Sequence, residues 1–247
     1  MRALLHLTWL ELKIFLREPM GAVGTVAVPA LAYIGASMAG TSIAPGRFPG
    51  SEFARVGLPV LAATLMLVSA VLSLMTIISV YRESGILKRL RATPLRPHTI
   101  VAAHVLVKVA LTGVTLAVLA ALGRRVVVPP PGASLVSVAL GLLLCTAGVL
   151  SLGFLLASVV PTARFAQPFG ALVLYPMLAV SGVFYPVDAL PPALRLLAPL
   201  TPLTHAVALL QGLWVGESWL AHGGDLLGLA LSAGACALVA SRVFRWE

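Results

Sequence analysis

Long apolar runs separated by short polar islands set the pattern of this chain. Residues 57–80 and 99–123 are both of bilayer length, which takes about 20 apolar residues in a helix. Between them residues 81–97 read YRESGILKRLRATPLRP, a basic island. Comparable apolar runs cover residues 20–39, 135–160, 165–183 and 225–241, so the pattern predicts six membrane-spanning helices. The expected fold class is an all-α integral membrane protein forming a single transmembrane domain. The island decides orientation. Five basic residues lie in it, Arg82, Lys88, Arg89, Arg91 and Arg96, and short loops rich in Arg and Lys stay cytoplasmic. With Lys108 set aside, eleven basic residues then fall inside and five outside, and both termini are cytoplasmic. That arrangement is expected of a multi-pass protein of a bacterial inner membrane.

Between the spans, three stretches carry finer signals. Residues 1–18 form an amphipathic pattern with Arg2, His6, Lys13 and Arg17 in one sector and Leu5, Trp9, Leu12 and Leu16 as apolar contacts. An interfacial helix has this character, and a plain extension of the first span is the alternative. Residues 184–214 hold five prolines up to Thr204 and make no convincing full span. They divide into segments at about 189–197 and 203–214, the pattern of a broken hairpin that dips into the outer leaflet under protein cover. Trp214 and Trp219 suit an interfacial belt. In the span over 57–80, Ser69, Ser73 and Thr76 are pathway candidates, although such hydroxyls more often bond within their own helix. Lys108 lies about nine residues inside its span, as a pathway charge or as a snorkelling side chain.

Composition narrows the class. Of the 247 residues 60% are hydrophobic and 10% charged, with a mean hydropathy of +1.03, which excludes an ordinary soluble domain. The formal charge of +9 belongs beside anionic headgroups and does not call for nucleic acid. The charged residues ahead of the first span argue against a cleavable signal peptide, and no linker suggests a second domain. Cys145 and Cys236 both lie in apolar runs and read as packing residues. No GxxxxGK[ST] phosphate loop, HExxH pair or catalytic serine or aspartate constellation occurs, so no catalytic, metal or cofactor-binding residue is assigned. The five histidines look dispersed, and none of the eight acidic residues is paired within a span. A conduit or gate is expected, powered from outside the chain. Around the island, Gly85 and Pro94 bracket a helix of about two turns, with Ile86, Leu87 and Leu90 forming an apolar stripe. Glu83 is placed to pair with Lys88 or with a docked partner.

Two stretches carry a family resemblance. ESGILKRLRATPLRP, residues 83–97, resembles the loop between the second and third spans of ABC-2 type transporter permeases. LYPMLAVSGVFYPVDALPPALRLLAPLTPLTHAVALLQ, residues 174–211, is similar to their late signature. REP at residues 17–19 fits the family opening. The resemblance implies a permease subunit of an ATP-driven exporter of drug-export or nodulation type. It would work as a dimer of permease copies with two separate ATPase subunits, which would use ATP and Mg while this chain binds no cofactor. Glu83, Gly85, Ile86, Leu87, Lys88, Arg89, Leu90, Arg91 and Pro94 would belong to the helix seated in the ATPase. Ser181, Gly182, Phe184, Tyr185, Pro186, Pro191, Pro202 and His205 would belong to an external re-entrant hairpin capping the pathway. The second and fifth spans would face the dimer partner. Cargo would be amphipathic or lipid-linked. A non-transporting membrane scaffold, or an ion-coupled carrier with buried ion ligands and inverted repeats, are the alternatives.

Overall fold

The computed structural model describes residues 58–86, 134–160, 162–184 and 186–243, with single positions 8, 9, 13, 103, 106, 107, 110, 111, 114 and 132. Among these residues the protein is helical and carries no strand. Six α-helices are described over their length, in order: α1 Leu58–Glu83, α2 Leu135–Val159, α3 Ala163–Val180, α4 Pro192–Leu197, α5 Pro202–Val215 and α6 Gly223–Val243. Short 3-10 turns at Val187–Ala189 and Ala198–Leu200 flank α4. Among the described residues four helices are long and apolar enough to cross a membrane, and a bent pair makes a fifth candidate. The predicted span over 20–39 lies outside the described residues. Of the span over 99–123, the described positions are helical, with Ala103, Val107 and Leu111 buried at a spacing of four.

Local chemistry explains the boundaries. Ser134 begins α2 by accepting the Ser137 N–H at 3.3 Å. The helix stops before Pro161, whose ring disfavours a helical predecessor, and Val160 is already extended. α3 remains one helix through Pro168 and Pro176, where local irregularity was expected from sequence. α5 starts with Pro202 in its first turn and Thr201 as cap. It ends at Gly216, whose φ of +96° lets Gly216 N–H reach Leu213 O and Glu217 N–H reach Gly212 O.

α2 is the hub, packed against α1, α5 and α6, while α1 also packs on α3 and α5 on α6. Leu67, Leu74 and Met75 of α1 meet Leu142 and Leu150 of α2 and Leu209 and Leu210 of α5 in one buried cluster. The apolar surface continues outside that core. Leu172 of α3, Val136 of α2 and Leu231 of α6 are at least 64% exposed. Helices apolar all round suit a surface bathed in lipid and not in water.

Candidate functional site

At the end of the bundle where α2 turns into α3, the last turn of α1 reaches across to both. The Arg82 guanidinium donates to the Val160 carbonyl. The neighbouring Glu83 carboxylate accepts from Ala163 N–H at 2.9 Å. The positive side chain therefore sits on the carbonyl end of α2 and the negative one on the amide end of α3, each matched to its helix dipole. α1 runs three residues past the predicted boundary at Val80 to make these contacts. It then breaks at Ser84 and Gly85, where Gly85 has φ +68° and donates to Arg82 O, and Ile86 is helical again. Glu83, expected to pair with Lys88 or a partner, caps α3 through Oε1, while Lys88 lies outside the described residues. Leu87, Lys88, Arg89, Leu90, Arg91 and Pro94 lie outside the described residues, as do Arg2, His6 and Arg17. Lys13 is helical and exposed.

Along α1 the candidate hydroxyls behave as helix residues. Thr76 donates to Leu72 O at 2.9 Å, and Ser69 and Ser73 are half-buried. Ser79 is fully buried with no hydrogen-bond partner. Lys108 lies outside the described residues.

The opposite end is built from the break after α3. Ser181 Oγ donates to Leu178 O at 2.7 Å, and Gly182, at φ +91°, turns the chain. Its carbonyl accepts from Gln211 of α5 at 3.3 Å, which ties the turn to the bundle. Phe184 packs against the core; Tyr185 lies outside the described residues. Pro186 and Pro191 precede the 3-10 turn and α4 respectively, and Arg195 pairs with Asp188 at 2.9 Å on the surface. Residues Pro192–Leu200 and Pro202–Val215 meet at 84°. The break expected in residues 184–214 is therefore present. Trp214 and Trp219, expected in an interfacial belt, pack partly against the core.

His205 was expected as a member of the hairpin and is more than that. Its Nδ1 lies 3.2 Å from Asp225 Oδ1 and its Nε2 lies 2.8 Å from Pro199 O. His222 takes the other Asp225 oxygen at 3.0 Å through Nδ1 and Glu217 Oε2 at 2.8 Å through Nε2. Histidines and carboxylates that look dispersed and unpaired in sequence thus form one chain, correcting that expectation. Burial alone would lower the His222 pKa, but hydrogen bonds to Asp225 and Glu217 and their charges outweigh it, and the imidazole is held above its ordinary value. The polar stretch GESWLAHGGD at residues 216–225 was the available signal. It was readable as a turn, not as a partner for His205. Among the described residues no group of His, Cys, Asp and Glu is arranged to hold a metal ion.

The comparisons agree with this architecture. Nodulation protein J of Rhizobium leguminosarum bv. viciae is 34% identical over 67 residues, 27% of this chain and 26% of that protein, so the similarity spans about a quarter of that relative's length. The family model described as ABC-2 type transporter matches residues 2–214. With most of its length matched and its apolar helices in place, this chain belongs to the ABC-2 type transporter family, as a multi-pass membrane protein.

Proposed function

We propose that this chain is the permease subunit of an ATP-driven exporter that moves an amphipathic or lipid-linked cargo out of the cytoplasm or the inner leaflet. In this reading two permease copies and two ATPase subunits form the working unit in a bacterial inner membrane. Six spans place both termini in the cytoplasm, and residues 1–18 lie along the headgroups. ATP and Mg act at the ATPase subunits. The observation that carries the reading is the Arg82 and Glu83 contact with the α2–α3 turn. It lies at the mouth of the basic segment 86–97, so that a partner seated on Lys88 and Arg89 would act on three helices at once. Residues 181–205 form the outward cap over the route.

The test is charge reversal in the basic segment. Lys88→Glu with Arg89→Glu is expected to lower co-purification of a co-expressed partner ATPase by about tenfold or more, the loss of two or more interfacial charge contacts. Unchanged assembly and ATP turnover would overturn the docking role and return the chain to the scaffold reading.

A further inference from the structure

The polar chain at the far end from the α2–α3 turn has no role in the coupling reading. Its geometry is reciprocal. His205 stands in the first turn of α5, and a Cβ built on Gly228 of α6 would overlap its ring. His222 stands just before α6, and a Cβ on Gly212 of α5 would overlap its ring in the same way. Each imidazole is therefore seated on a glycine of the other helix, and Asp225 joins the two with one oxygen apiece. Only 17% of His205, 13% of His222 and 26% of Asp225 side-chain surface is exposed.

All four ring nitrogens face oxygen atoms: two on Asp225, one on Glu217 and the Pro199 carbonyl. A carbonyl and an ionised carboxylate only accept, whereas a neutral imidazole has a single N–H. Four donors exist only when both rings are imidazolium. Two imidazolium groups with Asp225 and Glu217 also make a neutral set. Each proton lost leaves one nitrogen lone pair against an oxygen and one carboxylate charge unmatched.

We infer that His205, His222, Asp225 and Glu217 form a proton-binding site that latches the elbow between α4 and α5 to the head of α6, and that deprotonation loosens it. Among the described residues the groups facing this site are few. From α5 comes His205, from the 198–200 turn the Pro199 carbonyl, from residues 216–222 Glu217 and His222, and from α6 Asp225. α2 brings the buried Cys145 thiol, which lies within electrostatic reach of Asp225 and 3.8 Å from Ala206 O. On α4, Arg195 is engaged with Asp188. The raised His222 fixes the sign: its contribution is complete below the ordinary histidine value and is lost as pH rises through its folded value.

The test uses the full chain in lipid nanodiscs, with Cys145 and Cys236 replaced and spin labels at the exposed Leu196 of α4 and Leu227 of α6. Between pH about 5.5 and about 8, the short distance is expected to give up about half or more of its amplitude to a longer one. A double variant, His205→Gln with His222→Gln, is expected to show one distribution at both values. An unchanged wild-type distribution, or a shift that survives in the double variant, overturns the latch. Imidazole nitrogen NMR of the unlabelled wild-type chain serves if the variant fails to fold. Both rings doubly protonated at the lower pH supports the site, and either ring neutral there overturns it.

Discussion

At the scale of single residues, what matters at the far end is the space left by an absent methyl group. Gly212→Ala and Gly228→Ala should each destabilise the protein, because the added Cβ meets an imidazole that cannot shift without breaking two hydrogen bonds. Overpacking of this kind costs about 1–3 kcal/mol, more than the helix preference of alanine returns. Gly234→Ala in α6, where nothing lies within 4 Å, is expected to be neutral or to stabilise by up to about 1 kcal/mol. Thermal melts of the three variants in one detergent check the contrast; equal shifts would show that neither imidazole seat is tight. These roles were not legible in the sequence. Small residues are common at transmembrane interfaces, and nothing in a one-dimensional pattern says which of them faces a ring 10 or 23 positions away.

At the scale of elements, punctuation by proline and glycine was a good guide. The runs expected to span at 135–160 and 225–241 are helical over Leu135–Val159 and Gly223–Val243, and the proline-rich stretch divides near its expected place. What the pattern did not carry were ends fixed by tertiary contacts. α1 continues to Glu83 because Arg82 and Glu83 find the ends of two other helices, about 80 residues on. The contact of His205 with the Pro199 carbonyl likewise spans the 84° bend, which no periodicity encodes. The cap of α5 is the feature most open to a direct test. Thr201 accepts from Thr204 N–H at 3.3 Å, and the two hydroxyls lie 2.7 Å apart. Thr201→Ala should cost about 1 kcal/mol, and Thr201→Ser should restore most of it. A melting temperature unchanged in the alanine variant would show that packing alone holds the bend.

For the whole molecule, the distribution of apolar surface and of charge makes a prediction about sidedness. Leu196 and Leu220, 77% and 93% exposed, belong to the end opposite Phe165, which is 60% exposed. In a background without Cys145 and Cys236, cysteines at 196 and 220 should react with an impermeant maleimide added to intact cells. A cysteine at 165 should react only after permeabilisation. Labelling of all three from one side would overturn the proposed topology. The contact of Arg82 and Glu83 with the α2–α3 turn also has a mechanical consequence. With three helix ends joined there, a displacement entering at Ile86 acts on a lever, not on a loose loop. α1 has 26 residues and is therefore about 39 Å long, so a tilt of about 5° at one end carries the other about 3 Å, the width of a small polar group. Under the proposed coupling, rotations too slight to unpack the core would still be felt at the far side.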